Sequence, residues 1–127
     1  MNDIERAIQQ ALNNNHDQLV NKAYLEFIKA NFIIPIENKS DDHEPKVLFL
    51  QEHDKIFLPV FTNMKYFNDW AEPIKNEIKI LRLSGVNLLK GIGEHVFVSL
   101  NIGSDIYKEF NDAEIARMRS MVLKLFN

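Results

Sequence analysis

Cysteine is absent from the 127-residue sequence, and glycine and proline are scarce, with four of each. The lack of cysteine excludes disulfides, thiol catalysis and thiolate metal sites, and it is common in cytosolic chains. No apolar run approaches the roughly 20 residues of a membrane span. The first residues are polar and lack the apolar core of a signal peptide. We therefore expect a cytoplasmic protein with no membrane partner.

The sequence also has no large excess of either charge, because its formal net charge is only -3. Nucleic-acid binding depends mostly on Lys and Arg that neutralise phosphates, so we expect no nucleic-acid partner. A protein partner remains compatible with this charge. Hydrophobic residues make up 46% and charged residues 26%, as in ordinary globular chains. The length suits one domain with a core of its own.

Recognisable catalytic and cofactor motifs are missing as well. No two of the four histidines have the i, i+4 spacing that places metal ligands on one helix face. His43 lies among Asp41, Asp42 and Glu44, but a solvated loop is the simpler interpretation of that patch. The sequence GIGEH at 91–95 precedes a predicted strand instead of opening a helix, which argues against a dinucleotide loop. We expect no metal, no cofactor and no enzymatic activity.

Helical periodicity appears at both ends of the chain. Apolar residues predict helices over residues 4–12 and 17–28, and Asn2 with Glu5 forms a candidate capping box for the first. A second candidate box, Asn111 with Glu114, precedes a closing helix. The apolar stripe of that helix is Ile115, Met118, Val122 and Leu125. The apolar faces of the first two helices need a cover, which either the sheet or a second copy of the chain would supply; the latter would make a homodimer.

The middle of the chain has the pattern of β-structure. Residues 32–36 predict a strand in which Pro35 indicates an edge or a bulge. Residues 46–51 and 55–61 predict a hairpin, and residues 79–83 and 95–101 predict two later strands. Thr62 is the expected N-cap of a helix that runs to Trp70, and Ser84 that of a short helix.

These elements predict an α+β fold: a mixed or antiparallel sheet of about five strands with helices packed on it. Two helices precede this sheet and one follows it. We expect a single domain over residues 1–127, with residues 1–30 as a helical N-terminal extension and residues 32–127 as the α+β core.

One long segment, LFLQEHDKIFLPVFTNMKYFNDW, resembles the N-terminal domain family of the bacterial SseB protein, named for enhanced serine sensitivity. The residues from Leu58 to Thr62, together with Trp70, match the family's strand and the helix that follows it. Asn63 stands where Ser or Asp is common. A second segment, VFVSLNIGS, matches at Asn101, Gly103 and Ser104, whereas the family's proline is replaced by an isoleucine.

The resemblance covers residues 46–126. It implies a bacterial α+β domain with no established reaction. We therefore expect a non-enzymatic protein that acts through protein contacts.

The two matching segments each end a predicted strand in polar residues. If the strands are neighbours that end at the same edge, their side chains would converge on a shallow polar groove. That groove would hold a peptide segment or a small polar ligand, and a glycine in it would let a backbone approach closely. Its candidate binding residues are Thr62, Asn63, Trp70, Asn101, Gly103 and Ser104. The alternatives are a cap with an aromatic packing anchor, or the site of a small-ligand-binding protein or hydrolase.

Overall fold

The computed structural model of the chain describes residues 1–41 and 43–126, so Asp42 of the acidic patch lies outside the described residues. A 3₁₀ turn at Glu72–Ile74 follows the third helix. The helices and strands, in chain order, are α1 Asp3–Asn13, α2 Asp17–Lys29, β1 Asn31–Glu37, β2 Leu50–Glu52, β3 Lys55–Val60, α3 Met64–Ala71, β4 Ile78–Ser84, α4 Gly85–Gly91, β5 Val96–Leu100, β6 Lys108–Phe110 and α5 Asp112–Phe126.

The α+β class is confirmed, but the strands form two sheets instead of one. Strands β1 and β4 pair antiparallel, while the second sheet has the order β2-β3-β5-β6. Ile33 of β1 and Phe61, just after β3, exchange two backbone hydrogen bonds of 2.9 Å between the sheets. Pro35 accepts a bond from the Leu48 amide on this same side of β1. Because proline has no N–H to return, Pro35 and Leu48 share one backbone hydrogen bond instead of two, and the contact continues as an isolated bridge between Ile36 and Val47.

Strands β3 and β5 run parallel, with Val60 opposite Leu100, so both end at the same edge. This pairing confirms that the two segments of the resemblance emerge side by side. The predicted hairpin is confirmed as β2 and β3, although β2 begins only at Leu50. Strand β6, which pairs antiparallel with β5, was not predicted. Its three residues are too few to show an alternating pattern.

Both capping boxes are confirmed at the helix ends. The Asn2 and Glu5 side chains each bond the other's backbone amide, and so do those of Asn111 and Glu114. The stripe predicted for α5 is wrong at its last member, Leu125, which is 55% exposed. The other members of the stripe, Ile115, Met118 and Val122, are buried.

The apolar faces of α1 and α2 are covered mostly by the chain itself, although Leu12 of α1 is 46% exposed. Ile8 and Phe27 are completely or almost completely buried in the larger core, which also takes in the β3 and β5 residues that face the helices. A smaller core lies under α3, where Phe67 and Ala71 pack with Phe61. In the described ranges, no helix has both the length and the apolar character needed to cross a membrane.

Candidate functional site

Helix α3 begins immediately beyond the end of β3. Its N-cap is Asn63, whose side-chain oxygen accepts a 2.8 Å hydrogen bond from the Tyr66 amide. The prediction that Thr62 caps this helix is therefore wrong. The hydroxyl of Thr62 instead donates to Glu5 Oε2 at 2.8 Å. Asn63, the next residue along the chain, also has a side-chain oxygen that suits an N-cap, and it caps the helix in place of Thr62.

Asn101 joins the ends of the two parallel strands from the inside. Its side-chain oxygen accepts from the Thr62 amide at 3.0 Å, and its amide group donates to Thr62 Oγ1 at 3.0 Å. Its own backbone N–H donates to the carbonyl of Val60. Asn101 is 0% exposed and has a φ of 56°, a left-handed conformation that asparagine tolerates better than most residues. The carboxamide therefore fixes how the chain leaves both β3 and β5.

A buried carboxylate completes this arrangement. Glu5 of α1 is 4% exposed, and its Oε1 accepts from the Asn2 amide at 2.8 Å. Its Oε2 accepts from the Thr62 hydroxyl and from the Asn63 side-chain amide. Burial acts to raise the pKa of Glu5, but the hydrogen bonds from these three residues outweigh it and the pKa is lowered. We call the five residues Asn2, Glu5, Thr62, Asn63 and Asn101 the Glu5 cluster.

The buried polar side chains of the Glu5 cluster all have hydrogen-bond partners in the chain. Among the described residues, no buried side-chain nitrogen or oxygen lacks a hydrogen-bond partner. A carboxylate that already accepts three bonds has little capacity to serve as a base for a ligand. The cluster therefore fastens α1 to the strand ends. Sequence reasoning found Glu5 only as a helix cap, because no local signal links it to Thr62, 57 positions away.

An open cleft lies beside the cluster, between α3 and the loop that follows β5. Its volume is about 260 Å³. We call it the α3–loop cleft, and its lining residues are Lys65, Tyr66, Asp69, Trp70, Ile102, Gly103, Ser104 and Asp105. Three of the six predicted binding residues, Trp70, Gly103 and Ser104, are in this lining. The other three belong to the Glu5 cluster.

The walls of the cleft differ in chemistry. Trp70 packs on Phe61 with the ring centres 5.3 Å apart, and it is only half-buried. On the other side, Gly103 has a φ of 86°, which allows the loop to turn. The Ser104 hydroxyl accepts from the Ile106 amide at 3.2 Å and so holds the loop closed. The result is an aromatic wall that faces a tight polar turn.

Charge in the cleft comes from three exposed side chains. Lys65 Nζ lies 3.0 Å from Asp69 Oδ2 and 5.9 Å from the centre of the Tyr66 ring. The bond to Asp69 and the charge of Asp69 raise the pKa of Lys65, with a smaller contribution from Asp105. Asp105 itself has no hydrogen bond or ion pair to any other residue that the structure describes. The cleft thus contains one carboxylate in direct contact with Lys65 and one, Asp105, that acts on Lys65 without a direct ion pair.

Metal-binding geometry does not occur in the parts of the chain that are described. There, no three His, Asp or Glu side chains are grouped closely enough to hold an ion. His95 contacts Asp112 at 3.2 Å on the exposed surface, with no third ligand.

The fold and the site define an α+β domain in which a parallel strand pair ends in a buried polar cluster and an open aromatic cleft. The chain belongs to the SseB protein N-terminal domain family, whose model matches residues 4–117. The match confirms the resemblance and also includes α1 and α2, which lie outside the residues 46–126 that carry it. No curated protein and no solved structure matches the chain.

Proposed function

We propose that this chain is a non-enzymatic protein-interaction module that holds a segment of a partner protein in the α3–loop cleft. The observation that carries the proposal is that two half-buried aromatic side chains, Tyr66 and Trp70, line a cleft with a polar opposite wall. Tryptophan and tyrosine are enriched among the residues that supply most of the energy of protein interfaces. A half-buried tryptophan already held by Phe61 offers such a surface with little further ordering.

The dimensions of the cleft support a protein ligand over a small-molecule substrate. Pockets for small molecules typically have volumes of about 300–1,000 Å³ and enclose most of the ligand. The α3–loop cleft, at about 260 Å³, is close to the lower end of this range but open to solvent, so it would leave much of a small molecule exposed. One side chain of a partner and its adjacent backbone would fit such a cleft.

The polar groups at the strand ends also favour binding over hydrolysis. A nucleophilic hydroxyl must reach its substrate and lose its proton to a base. Thr62 is 8% exposed, donates to Glu5 and accepts from Asn101. This hydroxyl would have to break a complete set of hydrogen bonds before it could act, which counts against the alternative of a hydrolase site here.

The proposal also assigns the protein to the bacterial cytoplasm, the setting that the resemblance implies. A fluorescent fusion expressed in the native cell should give diffuse internal fluorescence. Fluorescence confined to the cell envelope would contradict this part of the proposal.

Site-specific photo-crosslinking tests the role of the cleft directly. A photoreactive residue would replace Ser104 in the cleft, and in a matched control it would replace Ser120 on the exposed side of α5. In cells that naturally produce the chain, we expect a discrete crosslinked partner from the Ser104 position and not from Ser120. Identical products from both positions, or none from Ser104, would refute the cleft as the contact surface.

A further inference from the structure

We infer that the side chain received by the α3–loop cleft is basic, an arginine or a lysine of the partner protein. This inference rests on the proposed function, since it names the chemistry of the segment that the cleft binds. It follows from the charges and the aromatic faces that meet in the cleft.

The charges of the cleft are unbalanced. Asp69 and Asp105 contribute two carboxylates, and Lys65 contributes one ammonium group. Lys65 pairs with Asp69 at 3.0 Å, whereas Asp105 makes no direct ion pair with a described residue and acts on Lys65 only as the smallest contribution to its raised pKa. A cationic ligand would neutralise Asp105, whereas an acidic side chain would add a third carboxylate against one ammonium. Charge complementarity of this kind determines which partners are accepted.

Aromatic faces add a second attraction for a cation. Positive groups bind over the faces of tryptophan and tyrosine within about 6 Å of the ring centre. Lys65, whose side chain is 78% exposed, already lies 5.9 Å from the centre of the Tyr66 ring, so a cation of the chain is beside this ring. Trp70, the stronger aromatic site for a cation, has no cation of the chain over its ring among the described contacts.

Arginine suits this arrangement better than lysine. A guanidinium group is planar, so it can stack on Trp70 while its N–H groups bond the Asp105 carboxylate. An ammonium group provides a point charge and no stacking surface. We therefore expect arginine to bind more tightly than lysine, and both more tightly than glutamine or glutamate.

A small-molecule titration measures this preference directly. Trp70 is the only tryptophan of the chain, so in the folded protein fluorescence excited beyond the tyrosine absorption comes from one wall of the cleft. N-acetyl-arginine amide should shift the emission in a saturable way at millimolar concentrations, and N-acetyl-glutamate amide should not. Asp105→Asn should weaken arginine binding about threefold, as expected for the loss of one exposed charge contact. Lys65→Met should strengthen binding, because it removes the competing cation from Asp69.

Asp54→Asn is the matched control for this titration. Asp54 is an exposed carboxylate in the β2–β3 turn, at the opposite end of β3 from the cleft. Its replacement should leave arginine affinity unchanged. Equal binding of arginine and glutamate amides, or equal losses in the Asp105 and Asp54 variants, would overturn the inference.

Selection from a random peptide library separates this inference from the proposed function. Selected peptides would be tested for crosslinking to a photoreactive residue at position 104. Peptides that crosslink there and share a basic position would support both the inference of a basic side chain and the proposed interaction module. Peptides that crosslink there without a basic position would overturn the basic side chain and leave the interaction module standing. The absence of any peptide that crosslinks at position 104 would overturn both.

Discussion

Replacement of Glu5 by glutamine tests whether the buried cluster holds α1 in place. The carboxylate accepts bonds from the Asn2 amide, the Thr62 hydroxyl and the Asn63 side chain. Glutamine has nearly the same shape but only one oxygen. Whichever way its amide turns, its NH₂ group faces a donor where the carboxylate offered an acceptor. The substitution therefore removes hydrogen bonds without opening a cavity.

The expected loss of stability follows from the hydrogen bonds that are lost. A hydrogen bond to a charged group contributes about 1.5–3 kcal/mol, and a buried donor left without a partner costs a similar amount. We expect Glu5→Gln to lower the free energy of unfolding by about 2–3 kcal/mol. For a chain of this size, that corresponds to a Tm lower by roughly 10 °C. Helix α1 should stay docked, because Ile4 and Ile8 remain buried.

The pH dependence of the same variant provides an independent check. The pKa of Glu5 is lower in the folded state than its ordinary value of 4.5. The contribution of the ionised Glu5 to the free energy of unfolding is therefore complete above about pH 4.5, and it is lost as the pH falls through the folded-state pKa. The stability gap between the wild type and Glu5→Gln should be full at pH 7 and should narrow in acid.

Urea denaturation followed by Trp70 fluorescence and circular dichroism would measure both effects. Glu94→Gln is the matched control, because Glu94 is exposed and makes no hydrogen bond or ion pair to another described residue. This control should change stability by less than about 0.5 kcal/mol. The reasoning is wrong if Glu5→Gln loses no more than the control, or if its stability gap is the same at pH 3 as at pH 7.

Two further predictions concern the packing of α2. A Cβ at Gly85 would lie 2.0 Å from the backbone oxygen of Phe27, so Gly85→Ala should destabilise the fold by about 3 kcal/mol or more in thermal melts. Gly91→Ala meets no atom within 4 Å and should be neutral or slightly stabilising; equal effects of the two changes would contradict the packing argument. Burial, followed by the hydrogen bond and charge of Glu114, raises the pKa of Tyr24 to about 12, so its contribution to stability is present below pH 10 and is lost as the pH rises towards 12. Burial also raises the pKa of Tyr107, so absorbance titration should show more than one late tyrosine, and Tyr24→Phe should remove the one that ionises near pH 12. Ionisation of every tyrosine near pH 10 would refute this.

The features that were predictable from the sequence are those whose partners lie a few residues apart. The capping box of Asn2 and Glu5 spans one helical turn, and so does the cap that Ser84 provides for α4. The hairpin is equally local, since its strands are joined by two residues. In each case the residues that interact fall within one window of sequence, so their spacing alone predicts the contact.

The features that were missed depend on distant parts of the chain. Thr62 meets all the requirements of an N-cap, but the fold brings Glu5 to its hydroxyl and leaves the helix to Asn63. The division into two sheets depends on how β1 meets the end of β3, which no local pattern encodes. Leu125 fits the helical period of α5, yet the fold leaves its side chain 55% exposed.

The six predicted binding residues divide into two groups with connected tasks. Asn101 is fixed from the inside by Thr62, and the loop that forms one wall of the cleft begins at Asn101. Asn63 fixes the start of α3, which carries Trp70 on the opposite wall. Both walls of the cleft are therefore anchored in the Glu5 cluster before any partner arrives. A cleft ordered in advance loses less conformational entropy on binding, so the buried polar residues would contribute to affinity without touching the ligand.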